Sequence, residues 1–172
     1  MKRWITFFLL ALSLCLLSGC QSSGVQGRIR TRVGVDVSGG TEFSHYDTHG
    51  GFHGDGISCY AYTFSDDSCL QQVSQADGWS VFPLDETAQA LLYGISKETD
   101  SGTSYAGPFF TYENEDNCLV PPIENGYYRL VDRHSDAGTP DDPGLLARKS
   151  YNCTLAVYDA DTSTFYFCEL DT

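Results

Sequence analysis

Three of the chain's four histidines fall in the run His45-Tyr46-Asp47-Thr48-His49-Gly50-Gly51-Phe52-His53-Gly54-Asp55-Gly56. Neutral imidazole and carboxylate are competent ligands for zinc, and a metal held by them can activate water for hydrolysis. On a strand, alternate side chains share a face, so His45, Asp47 and His49 would stand together. The turn decides what the second half of the run adds. A two-residue Gly50-Gly51 loop pairs His49 with Phe52 and sends His53 and Asp55 to the opposite face. A three-residue loop sets His49 against His53 and Asp47 against Asp55, and two facing carboxylates then call for a cation or a proton between them. His134, beside Asp132 and Arg133, is a further candidate ligand. The metal reading, with zinc or calcium, therefore names Asp47, His49, His53, Asp55 and His134. The competing reading needs no cofactor: glycines make tight turns, and short polar side chains bond to loop backbone. The spacing also lacks the H-E-x-x-H pattern of metallohydrolases.

Other chemistry is less well supported. Ser135 follows His134, but adjacent residues on a strand point apart, and no G-x-S-x-G elbow accompanies them. Asp159-x-Asp161-x-Ser163 imitates the opening of a calcium loop, yet Thr164 stands where glycine is needed and Leu170 where the closing glutamate belongs. It is read as a hairpin turn. Glu113-Asn114-Glu115-Asp116-Asn117 reads as a solvated loop, with a weak calcium contact as the alternative.

The elements that must position these groups are legible in outline. Ile57 to Phe64 is aromatic and β-favouring without Gly or Pro, which marks a strand packed on both faces. A helix is expected next, with Asp66 or Asp67 receiving its first amides, Cys69 or Leu70, Val73 and Ala76 at helical spacing, and Gly78 as the stop. Asp85 should cap a second helix carrying Ala88, Leu91 and Leu92, ended by Gly94 with Ile95 folding back. Trp79, Phe82 and Pro83 lie between the two as a docking connector. Lys97 to Asn125 reads as mostly polar loop, with a short extended piece at Tyr105 to Tyr112. Tyr127 to Asp132 alternates as a strand, and Arg133 to Ser150 is a long surface excursion suited to a partner. Cys153 to Tyr158 and Phe165 to Leu170 form a closing hairpin. The class is α+β: a mainly antiparallel sheet of about 4 to 6 strands, two helices on one face, and a C-terminal β-hairpin.

The formal charge of −13 excludes a nucleic-acid partner, because duplex binding needs a basic face and only Lys97, Arg129, Arg133, Arg148 and Lys149 follow Arg32. Of the cysteines, Cys59, Cys69, Cys118, Cys153 and Cys168 lie in the body, and an odd set cannot pair completely. No C-x-x-C or zinc-ribbon spacing appears, so they read as small buried hydrophobes with one bridge at most, Cys153 to Cys168 across the closing hairpin. Asn152-Cys153-Thr154 matches a glycosylation acceptor.

Lys2 and Arg3, the apolar run Trp4 to Leu17, and Leu17-Ser18-Gly19-Cys20 have the layout of an export signal ending in a bacterial lipobox. The apolar run is short for a membrane span, which takes about 20 residues. In the lipoprotein class that this motif resembles, residues 1–19 are removed and Cys20 carries the lipid. Residues 20–32 are then expected to be a lipidated flexible tether: Gln21 to Gly27 is a Gln/Ser/Gly spacer, and Arg28, Arg30 and Arg32 share one side of an extended chain, against anionic lipid or as the polar face of a first strand. Residues 33–172 form one globular domain. From about Thr41 onward the chain also resembles a group of small uncharacterised lipoproteins and exported proteins of Gram-positive bacteria. That likeness rests on the Asp47 to Gly56 run, Gly126-Tyr127-Tyr128, Asp132-Arg133-His134-Ser135 and the closing Tyr166 to Thr172. It implies no substrate, cofactor or catalytic residue. The reading is therefore a lipid-anchored, monomeric, extracytoplasmic binding or interaction domain, needing no cofactor and meeting an extracellular protein or small molecule. The alternative is a divalent-metal-binding protein or metal-dependent hydrolase.

Overall fold

The computed structural model describes residues 24–50, 54–100, 102–113, 117–140 and 142–172. At its centre are two strands, β7 (Asn152–Asp159) and β8 (Thr164–Asp171), paired antiparallel from Asn152↔Asp171 to Asp159↔Thr164. Their sequences are rich in β-branched and aromatic residues, which suit a pleated buried surface. Asp159 organises the turn between them, its carboxylate accepting from the Asp161 amide at 2.9 Å and the Thr162 hydroxyl at 2.7 Å. Around this hairpin run β1 (Thr41–Asp47), β2 (Gly56–Thr63), β3 (Ser80–Val81) and β6 (Gly126–Asp132). They complete a six-stranded antiparallel sheet in the order β1-β2-β8-β7-β6-β3. The α+β class, the sheet and the closing hairpin are those expected from the sequence.

Successive side chains of a strand point to opposite faces. Phe165 and Phe167 accordingly enter one core, while Tyr166, Cys168 and Leu170 enter another. The first core is covered by α1 (Val25–Val33) and α2 (Ser68–Gln75), which contribute Ile29, Val33, Cys69 and Val73. The second is covered by α3 (Glu86–Tyr93) and the segment after it, through Ala88, Leu91, Leu92, Phe110 and Val120. The two helices expected from the sequence to share a face, α2 and α3, lie on opposite faces of the sheet because each covers a different buried face, and α2 shares its face with α1 instead.

The expected capping of α3 is present, with the Asp85 carboxylate accepting from the Ala88 amide at 2.8 Å. Its last turn is then crossed closely by the following chain. Gly107 has φ 70°, and a Cβ there would collide with the Ala90 carbonyl oxygen, so only glycine fits. The connector between α2 and α3 docks as expected: Trp79 Nε1 donates to the Val33 carbonyl at 3.1 Å, and Phe82 meets the Tyr128 ring edge-on.

Two further expectations are overturned. From Val25 the presumed tether is helix, so the folded body begins before residue 33. Ile29 and Val33 are fully buried, and burial of an apolar stripe stabilises a short helix that composition alone would leave as coil. Arg28, Arg30 and Arg32 therefore do not share a side. Arg28 and Arg32, one helical turn apart, both reach Glu169 at 3.2 and 3.7 Å, whereas Arg30 faces Asp36. The second correction is a separate exposed hairpin, β4 (Ile95–Thr99) with β5 (Gly102–Ala106), in a stretch read as loop. It lacks a buried face, and alternation therefore left no signal.

If α1 belongs to the body, Ile29→Ala should lower the unfolding free energy in urea by about 2–5 kcal/mol. A change within about 0.5 kcal/mol, typical of a surface position, would return this segment to the tether.

Candidate functional site

The histidine run lies where β1 ends and β2 begins, beside the end of β8. Asp47 is paired with Ser58, and the Thr48 amide donates to the Ile57 carbonyl at 2.9 Å. The Thr48 hydroxyl also accepts from the Ile57 amide, closing the strand pair. This register leaves several more residues between the strands than either tight turn would. Asp55 consequently does not oppose Asp47, and the five-group face expected from a three-residue turn does not form. Gly56 has φ 159°, and a Cβ there would run into His49 backbone atoms. His53 lies outside the described residues.

Asp47 and His49 do come together. The Asp47 carboxylate accepts from the His49 amide at 2.9 Å and lies 2.8 Å from its ring Nδ1. The Tyr60 hydroxyl donates to its second oxygen at 3.1 Å. Burial works to raise the Asp47 carboxyl, but the His49 amide, the His49 ring and the Tyr60 hydroxyl outweigh it and hold the group below its ordinary value. On its other side, His49 Nε2 is 3.3 Å from Asp171 Oδ2. Asp171 is in turn gripped by Arg133, with contacts of 2.8 and 3.0 Å to its two oxygens. The same guanidinium donates to the Thr154 hydroxyl and the Cys153 carbonyl, each at 3.0 Å. A continuous polar chain thus runs Tyr60–Asp47–His49–Asp171–Arg133–Thr154 across the sheet. His45 stays apart, stacked on Tyr60 and 3.4 Å from Glu42.

His134 belongs to a different place. It lines an open hollow of about 700 Å³ with Asp136, Thr139, Arg148, Lys149 and Ser150, and its Nδ1 accepts from the Asp136 amide at 3.3 Å. Arg148 is held there by Asp132 and Asp142. The Asp142 carboxylate, accepting from the Gly138 amide, from Arg148 and from the Gly144 amide, is pulled down to about 2.

Among the described residues no three His, Cys, Asp or Glu side chains are grouped to hold a metal ion. Each His49 ring nitrogen lies near a carboxylate, Nδ1 2.8 Å from Asp47 and Nε2 3.3 Å from Asp171. What does open to solvent beside this network is a cleft of about 780 Å³ lined by Thr48, Asp55, Ile57, Tyr112, Glu113 and Asp171. The Tyr46 hydroxyl accepts from the Glu113 amide at 2.9 Å, fixing that wall. Asp171 already has Arg133, whereas Asp55 and Glu113 have no cationic partner among the described residues. The sequence reading missed Tyr60, Arg133 and Asp171. Their signal is the alternation of Glu169 and Asp171 in an otherwise apolar strand, which requires cations on that face. No family model, curated protein or solved structure matches the chain.

A group whose folded pKa is depressed contributes stability above its unfolded value, and that contribution is lost as pH falls through the folded value. Asp142 should therefore lose its contribution as pH drops from the ordinary 3.8 toward about 2. In acid unfolding followed by circular dichroism, Asp142→Asn should show a shallower decline across this window than wild type. Equal slopes would remove the Asp142–Arg148 clamp from the account of acid stability.

Proposed function

We propose that this protein is a lipid-anchored extracytoplasmic domain that binds a ligand rather than transforming one. The acidic cleft at the end of β8 is its binding site. The observation that carries this reading is the open cleft walled by Asp55 and Glu113, two carboxylates with no cationic partner among the described residues. The carboxylates of Asp55 and Glu113 favour a cationic ligand, such as an amine or a basic peptide segment, in keeping with the −13 charge of the chain. Thr48 and Tyr112 supply the polar and aromatic surface against which such a group can be oriented. Anchoring is supported by the basic start, the short apolar run and the small residues before Cys20. No described helix is long and apolar enough to cross a membrane.

Two experiments test this reading. Expressed in a bacterial host, the full chain should partition with membranes and carry label from a fatty-acid precursor, and Cys20→Ser should abolish both. Retention of the label by Cys20→Ser would remove the anchor. For the cleft, titration with an oligolysine peptide should show binding that weakens with added salt. The pair Asp55→Asn with Glu113→Gln should weaken it roughly tenfold, equivalent to about 1.4 kcal/mol. The distant pair Asp66→Asn with Asp67→Asn should not. Equal loss in both pairs would mean non-specific attraction. A melting-temperature rise with zinc or calcium, absent in Asp55→Asn, would replace the cation-binding reading with a metal site.

A further inference from the structure

We propose that Cys59 and Cys168 are a disulfide site, closed by a disulfide oxidant outside the cytoplasm and tying β2 directly to β8. The two cysteines are register partners in adjacent antiparallel strands. Both belong to the same core, on the same face of the sheet, and both are buried. Directly opposed residues of an antiparallel pair have Cα atoms about 4.5 or 5.5 Å apart. A disulfide takes a Cα separation of roughly 4.4–6.8 Å, so the bond needs no backbone movement.

The other thiols are placed less well. Cys153 opposes Leu170, and Cys168 opposes Leu155, which makes Cys153 and Cys168 diagonal neighbours rather than partners. Diagonal pairs are about 7–8 Å apart, at or beyond the limit for bridging. The pairing expected from sequence across the closing hairpin is therefore the poorer one. Cys69 lies in the core on the other face, and Cys118 sits off the main sheet in an isolated bridge to Thr111.

The chemistry is ordinary thiol–disulfide exchange with a small-molecule disulfide such as oxidised glutathione. One protein thiolate attacks a sulfur of the reagent, forming a mixed disulfide and releasing one reagent thiolate. The second protein thiolate attacks the protein sulfur of that mixed disulfide, closing the Cys59–Cys168 bond and releasing the second reagent thiolate. Two electrons leave the protein thiols and reduce the reagent's bond, and the two protons end on the reagent thiols. Burial, followed by a hydrogen bond with Cys59, holds the Cys168 thiol well above its ordinary value in the folded protein. Closure therefore belongs to folding, before the core that holds both cysteines is complete.

The test uses the full chain, reduced and unfolded in denaturant, then diluted into oxidised and reduced glutathione. Alkylation without reduction, digestion and mass spectrometry should recover the peptides containing Cys59 and Cys168 as one linked species that a reductant separates. The oxidised form should unfold at a higher denaturant midpoint than the reduced form. Cys153→Ser should retain both properties, and Cys59→Ser should lose both. Recovery of Cys59 and Cys168 as separately alkylated peptides, or of Cys168 linked to Cys153, would overturn the proposal. The wild-type peptide map decides this even where a cysteine variant does not fold, and it is independent of what the cleft binds.

Discussion

Strands β7 and β8 are buried almost throughout on both faces, a demand that a sheet with one solvated side cannot meet. Apolar residues occupy both parities of each strand, and two covers are needed. One is built from α1 and α2, the other from α3 and the chain that returns across it. The placement of α1 follows from this demand. Without Ile29 and Val33, the face carrying Phe165 and Phe167 would be open to water over an area that only α2 would partly shield.

The same two-sided burial explains the polar architecture of the first face. Glu169 is 6% exposed in the middle of the sheet, and a buried carboxylate without a partner is strongly destabilising. Arg28 and Arg32 provide partners from the helix above it. Two residues further along β8, Asp171 has the same orientation and takes Arg133 and His49. Both acids are thus met by polar groups from outside the strand: Arg28 and Arg32 of α1 at Glu169, and Arg133 after β6 with His49 after β1 at Asp171. The side chain of Ser58, between Asp47 and Glu169 in register, is buried without a hydrogen-bond partner among the described residues. Nothing in the structure explains that.

Positioning of the cleft follows from the edge of this network. His49 is flanked by carboxylates on both sides, and Asp55, just before β2, lines the cleft wall. Tyr46, on the opposite face of β1, meets Tyr112 edge-on and anchors Glu113 across the opening. Both uncompensated carboxylates thus stand on the cleft wall, Glu113 with its amide bonded to the Tyr46 hydroxyl.

Local patterning in the sequence determined much of the fold. Alternation and residue type mark β2, β6, β7 and β8, and the Asp85 cap with its apolar spacing marks α3, because these signals act within a few residues. The presence of His49 and Asp47 at a common site was also legible, since alternation places them together. Tertiary structure alone decided the rest. Whether Val25–Val33 is tether or helix depends on a sheet face assembled from residues more than a hundred positions away. The register of β1 on β2, which sets Ser58 rather than Asp55 opposite Asp47, was likewise decided only by strand pairing. Which cysteine stands opposite Cys168 is a matter of register between distant strands, and register is set by the burial of both faces at once.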